Sequence, residues 1–194
     1  MRIDGPVVLA SRNAGKLREL RMLVGDRLEL VAQAADAPAV VEDGDSYLAN
    51  ARLKARAIAN HVGGWALADD SGLEVDALEG GPGLHSARYG GAGFDDRQRY
   101  EHLLAEMAGV AERGARFRCT LVLLHPDGRE CTAEGTLEGE IVLAAAGACG
   151  FGYDPVFAAT PLGGRILAEV DSAEKAAVSH RAGAMQALLR QLAD

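Results

Sequence analysis

Two adjacent carboxylates, Asp69 and Asp70, follow the short apolar run Trp65-Ala66-Leu67-Ala68 and precede Ser71 and Gly72. Like charges at the edge of a core must be solvated, paired or bound to a metal. Mg²⁺ takes one or two carboxylates together with phosphate oxygens and waters, so Asp70 in a tight turn suits metal ligation or the activation of a water. An Asx turn that closes a strand is the plain alternative.

A second group lies at Ser11-Arg12-Asn13-Ala14-Gly15-Lys16, between an apolar run at 7–10 and a helical pattern carried by Leu17, Leu20 and Val24. A loop entering a helix offers free N–H groups and the positive end of the dipole, which together attract phosphate. Ser11 and Asn13 add side-chain donors, Gly15 permits close approach and Lys16 brings a full charge. The segment lacks the Walker pattern, and an ordinary capped helix start would use the same N–H groups.

Further candidates are scattered along the chain. Glu42 precedes a helix on which Asn50 and Lys54 stand i, i+4 on one face. If that face meets the same site, Glu42 is a second metal ligand and Lys54 a phosphate contact; otherwise both are solvated surface groups. Phe151-Gly152-Tyr153-Asp154-Pro155 offers a ring that could stack on a base and a carboxylate that could bond a base or ribose, or else rings that plug the core. Ser179-His180-Arg181 gathers hydroxyl, imidazole and guanidinium at a helix start, where capping is the alternative. Together these make a nucleotide site: phosphate loop, metal carboxylates, lysines, stacking ring and base-edge donors.

The elements that must position these groups alternate. Apolar runs at 7–10, 28–32 and 65–68 read as strands, the last ending at Asp69-Asp70-Ser71-Gly72. Ser46 reads as the N-cap of a helix to Asn60 after a loop at 34–45, and Asp95 or Asp96 as the cap of one to Met107. Segments 117–124 and 130–138 flank Pro126-Asp127-Gly128, a hairpin whose strands extend as a lobe from the main sheet. Glycine-rich loops cover 80–93 and 147–155, and Ser172 and Ser179 read as N-caps of a short helix and of a final helix ending near Leu192. The expected class is α/β with a mixed sheet, as a single domain over residues 1–194, its informative residues at strand ends and helix starts.

Composition bounds the partners. With 194 residues, 20 Lys+Arg and 28 Asp+Glu, the net charge is −8, which argues against sequence-independent binding to nucleic acid. A local basic pocket remains compatible with it. The three cysteines, Cys119, Cys131 and Cys149, show no C-x-x-C spacing and read as buried, reduced thiols. No stretch reaches the ~18 apolar residues of a membrane span, and there is no signal-peptide pattern. The expectation is a cytoplasmic protein without membrane contact.

These motifs resemble the inosine triphosphate pyrophosphatase family, which hydrolyses non-standard purine nucleoside triphosphates such as ITP, dITP, XTP and dXTP. The resembling segments are 7–17 (VVLASRNAGKL), 46–55 (SYLANARLKA), 66–89 (ALADDSGLEVDALEGGPGLHSARY), 117–121, 150–157 (GFGYDPVF) and 169–181 with its terminal SHR. The resemblance implies a two-lobed α/β fold with a central mixed, twisted sheet flanked by helices, a cleft between lobes and a homodimer. It also implies Mg²⁺-dependent release of pyrophosphate, which cleanses the nucleotide pool. Carried onto this chain, it places Ser11, Asn13 and Lys16 on the triphosphate with Lys54 assisting. Glu42 and Asp70 would position Mg²⁺, with Asp70 as proton acceptor supported by Asp69, and Ser71 would touch substrate. Phe151 would stack on the base, Asp154 would fix it, and Lys175, His180 and Arg181 would read its edge. The substrate-contacting segments also include Arg12, Ala14, Gly15, Gly152 and Tyr153. Two departures stand out: Ala49, where the family often has Glu, and Arg12, an extra cation in the phosphate loop. A non-hydrolytic nucleotide sensor and a same-fold pyrophosphatase for modified pyrimidine nucleotides are the alternatives.

Overall fold

The computed structural model describes residues 3–91 and 93–193. Its strands are β1 (Val7–Leu9), β2 (Leu30–Ala32), β3 (Ala66–Val75), β4 (Gly114–Leu124), β5 (Glu130–Ile141), β6 (Phe157–Ala159) and β7 (Arg165–Ile166), in the sheet order β2-β1-β3-β4-β5-β6-β7. β1 pairs in parallel with β2 and β3, whereas β6 pairs antiparallel with β5 and β7, so the sheet is mixed. The helices are α1 (Ala14–Val24), α2 (Tyr47–Val62), α3 (Asp96–Glu106), α4 (Ser172–Val178) and α5 (His180–Ala193). The α/β class with a mixed sheet is as the sequence implied.

The chain divides into two compact units. The first comprises residues up to Asp70, Cys119–Gly135 and the chain from Arg181 on. The first residues of β3 and the last residues of β4 are buried on both faces, the pattern of central strands covered by helices, whereas β2 and β5 bury alternate residues or fewer. Leu9, Leu67, Cys119, Leu121 and Leu123 pack with Leu20 of α1 and Leu188 of α5. Ala66, Ala68, Val122 and Leu124 point the other way, onto Ala51, Ala55 and Ile58 of α2. This alternation follows from the two-residue period of a strand. The second unit, Ser71–Arg118 and Thr136–His180, has its own core, which includes Leu73, Leu103, Phe117, Leu137, Tyr153 and Phe157.

Caps set the helix starts. The Asn13 side chain accepts from the Lys16 amide, Ser46 from the Ala49 amide, and Asp95 forms a full capping box with Gln98, each such cap contributing about 1 kcal/mol. α2 ends at Gly63, whose φ of 64° is left-handed.

Three expectations are corrected. β3 does not end at Ala68 but runs on to Val75, so Asp69 and Asp70 lie within a strand rather than in a turn; neutralising partners on each face make that burial tolerable. The hairpin strands β4 and β5 are not a lobe off the sheet but stand in its middle, between β3 and β6. α4 is capped by Asp171 rather than Ser172, because Asp171 accepts from the amides of Ala173 and Glu174 while Glu174 reaches back to the Asp171 amide.

Candidate active site

In the first unit, Ser11 and Asn13 shape the loop that enters α1. The Ser11 Oγ accepts the Asn13 amide at 3.2 Å and the Asn13 Oδ1 accepts the Lys16 amide at 3.1 Å. The hydroxyl proton of Ser11 and the side-chain NH₂ of Asn13 are donors that these bonds do not consume. Ala14 and Gly15, in the first turn of α1, carry amides without intrahelical acceptors. Arg12 turns aside: its Nη2 donates to the Ala37 carbonyl at 2.9 Å, which ties this loop to the segment leading to Glu42.

Asp69 is 1% exposed, and its carboxylate is enclosed by cations. Lys16 Nζ pairs with Oδ1, Arg181 Nε donates to Oδ2 at 2.7 Å, and the Cys119 thiol lies 3.5 Å from Oδ2. Burial pushes this carboxyl up, but Arg181 and Lys16 outweigh it and hold it well below the usual carboxylate range. Asp69 is therefore a fixed anion that orients Lys16. Arg181 is itself anchored, with Nη1 on Glu19 Oε2 at 3.1 Å.

Asp70 faces the opposite side of β3. Its Oδ1 accepts from Lys54 Nζ at 2.5 Å, and the same ammonium donates to Glu42 Oε2 at 2.7 Å. Burial pushes the Asp70 carboxyl up to about 6; Lys54 opposes the rise, and a hydrogen bond with Glu42 adds to it. An unperturbed carboxyl near 4 is a poor proton acceptor at neutral pH, and this rise brings Asp70 closer to a useful base. Burial also acts to raise Glu42, but its bond to Lys54 wins and lowers it. Two carboxylates sharing one cation, with hard oxygen donors, fit a divalent cation that completes its shell with phosphates and waters. No three His, Cys, Asp or Glu side chains converge as a metal cage among the described residues.

The segment carrying Glu42 is held by α2. Asn50, 3% exposed, accepts the Gly44 amide on Oδ1 at 2.8 Å. A Cβ at Gly44 would fall 2.8 Å from both Ala49 Cβ and Asn50 Oδ1, so only glycine lets the loop approach this closely. The shared face of Asn50 and Lys54 thus meets this segment through both residues, Asn50 at Gly44 and Lys54 at Glu42.

In the second unit, the loop at 150–154 is built around Asp154, whose Oδ2 accepts the Phe151 amide at 2.8 Å and Lys175 Nζ at 2.6 Å. Gly150 adopts φ of 79°, and a Cβ there would come within 2.0 Å of that same oxygen. The Lys175 ammonium sits 4.8 Å from the Phe151 ring centroid, a cation–π distance. His180, 3% exposed, stacks on Phe117 at 4.9 Å and 13°. Ser71 is half-buried in β3.

The Tyr153 ring packs inward. It is 6% exposed in the second unit's core, with its hydroxyl donating to the Ser86 carbonyl at 2.8 Å, so it anchors the loop from below. Cys149 is exposed, unlike Cys119 and Cys131. The structure gives Arg181 the immediate task of neutralising Asp69, which the motif alone did not show. Glu19, Cys119, Ser86 and Asp96 were missed as well; only the i, i+3 spacing of Lys16 and Glu19 hinted at one of them.

A family model described as the Ham1 family matches residues 7–191. The chain belongs to the Ham1 family. The resemblance carried by the motifs is thus borne out at the level of the family. Among relatives of this Ham1-family chain, a dITP/XTP pyrophosphatase of Thermosynechococcus vestitus is 49% identical, over 97% of this chain and 95% of that protein. One of Streptomyces coelicolor is 46% identical, over 94% of each. The structure of a HAM1 protein from Coxiella burnetii superposes with a TM-score of 0.87 at 38% identity, covering 97% of this chain and 98% of that one. No helix among the described residues of this Ham1-family protein is long and apolar enough to cross a membrane.

Proposed function

We propose that this chain is a Mg²⁺-dependent nucleoside triphosphate pyrophosphohydrolase that converts ITP, dITP, XTP and dXTP to the monophosphate and pyrophosphate, removing non-standard purines from the nucleotide pool. The observation that carries this reading is the Glu42–Lys54–Asp70 cluster, in which a buried carboxyl raised to about 6 shares an ammonium with a second carboxylate. The near-full-length likeness to proteins named dITP/XTP pyrophosphatase supports the substrate class.

Lys16, the donors of Ser11 and Asn13 and the amides of Ala14 and Gly15 bind the triphosphate. Glu42 and Asp70 would hold the metal, which would supply positive charge to neutralise the phosphate oxygens. Asp70 orients the attacking water and takes its proton as the water oxygen bonds the α-phosphorus. The bond to the bridging oxygen breaks, and the electron pair leaves with pyrophosphate. Lys16 and Lys54 meet the charge that develops on the leaving group, where fixed cations lower a barrier most.

Phe151 stacks on the base, Asp154 sets the loop and Lys175 beneath it, and Lys175 and His180, with the anchored Arg181, donate to its edge. Hypoxanthine and xanthine present a 6-oxo acceptor to those donors; adenine presents a 6-amino donor and leaves them unpaired. Buried polar groups left unpaired can reject a wrong substrate by ~10⁴-fold. We also propose that the protein works as a cytoplasmic homodimer.

A panel of triphosphates with pyrophosphate as the readout tests the reading. ITP and XTP should give monophosphate and pyrophosphate, with ATP and GTP far slower. Release of orthophosphate refutes it, as does tight ITP binding without product in the presence of Mg²⁺.

A further inference from the structure

The proposed base-stacking loop is fastened by a residue outside the motifs. Gly152 N–H donates to Asp96 Oδ2 at 2.8 Å, and Asp96 lies in the first turn of α3. The preceding amide, of Phe151, is taken by Asp154 Oδ2 at 2.8 Å. Two successive amides are therefore held by two carboxylates from different parts of the second unit. Their orientations fix the peptide plane on either side of the Phe151 Cα, and with it the direction of the ring.

Asp96 is not needed to start its helix, because Asp95 already caps it. Nor is its carboxylate loose. Arg99 Nη1 donates to Asp96 Oδ1 at 2.9 Å, and Arg99 is anchored in turn by a bond from Nη2 to the Phe94 carbonyl. One oxygen is held by the helix's own arginine and the other by the loop. Gly152 has φ of 63° with nothing within 4 Å of a notional Cβ, so no side-chain packing holds it at that point.

We propose that Asp96 is a positioning residue for nucleobase selection: its carboxylate clamps the Gly152 amide and so presents Phe151 to the base. The inference rests on the assignment of Phe151 to the base under Proposed function. Asp96 touches neither phosphate nor metal ligands, so its loss should weaken recognition of the base while sparing the triphosphate.

The test compares wild type, Asp96→Ala and Asp96→Asn, the last keeping a side-chain oxygen that can accept from Gly152. Amide hydrogen exchange of the peptide covering 147–153 should quicken about tenfold in Asp96→Ala, as expected for a lost charge-assisted bond. KM for ITP should rise by about tenfold with kcat changed less than about twofold, and the preference for ITP over ATP should fall. Inhibition by inorganic tripolyphosphate should not change. Asp96→Asn should restore most of the exchange protection and of the KM. Unchanged exchange in Asp96→Ala, a parallel loss of tripolyphosphate inhibition, or an Asn variant no better than Ala overturns the clamp. A wild-type protein that releases no pyrophosphate from any triphosphate refutes the reading of the site instead, and the exchange measurement still decides whether Asp96 holds the loop.

Discussion

Asp69 and Asp70 are neighbours in β3, yet their carboxylates are held by different lysines, Lys16 for Asp69 and Lys54 for Asp70. Successive side chains of a strand leave opposite faces. Asp69 therefore shares a face with Leu67 and the α1/α5 layer, and Asp70 shares one with Ala68 and the α2 layer. One dipeptide yields a fixed anion on one side and a titratable carboxyl on the other. Arg181 accounts for the difference: it adds a second cation to Asp69, whereas Asp70 must share Lys54 with Glu42.

Asp70→Asn keeps the shape of the side chain and removes its capacity to take a proton. Pyrophosphate release from ITP should fall by about 10²-fold or more, the range for loss of a general base. A variant retaining more than about a tenth of wild-type kcat removes Asp70 from the chemistry.

The raised Asp70 carboxyl has a signed consequence for stability. Its folded value of about 6 lies above the unfolded value near 4, so between those pH values the folded protein binds a proton that the unfolded chain releases. Stability relative to Asp70→Asn should therefore rise as pH falls from about 7 to about 4. Melting temperatures of both proteins across that range measure the difference, and a trend of opposite sign shows that the carboxyl is not raised.

Asp69 behaves in the reverse sense. Its lowered carboxyl gives stability that is complete above the unfolded value and is lost only in strongly acidic solution. At neutral pH, Asp69→Asn removes the carboxylate shared by Arg181 and Lys16 and leaves Arg181 with Glu19, and Arg181→Gln leaves Asp69 with Lys16 in place of two cations. Breaking a buried pair on one side costs about 3–5 kcal/mol, so denaturant unfolding should show each single variant strongly destabilised. In a double-mutant cycle the coupling should reach about 2 kcal/mol; simple additivity would disprove the pair's role.

Gly44→Ala drives a methyl group to within 2.8 Å of Ala49 Cβ and Asn50 Oδ1. The loop must lift from α2 and carry Glu42 with it. The Mg²⁺ concentration for half-maximal activity should increase by about tenfold, the scale of a disturbed ligand support. An unaltered Mg²⁺ requirement would detach Gly44 and Glu42 from the metal.

Much of the site was legible because its signals are local. The caps at Asn13, Ser46 and Asp95, the loop at 11–16 and the Phe151–Asp154 turn depend on residues within a few positions of one another. The i, i+4 face of Asn50 and Lys54 needed only helical spacing. By itself the sequence determined the class of fold and the candidate residues, since the residue types limit the chemistry. Tertiary structure decided which partner each charge has. Asp69 and Asp70 look alike in sequence, and only the continuation of β3 past Ala68 sends them to opposite faces. Tyr153 and Phe151 are both aromatic in one short turn, but the core claims the first and leaves the second beside Lys175. The reason is energetic: a buried charge is governed by desolvation and by the nearest opposite charge, and the partners that set both are distant along the chain.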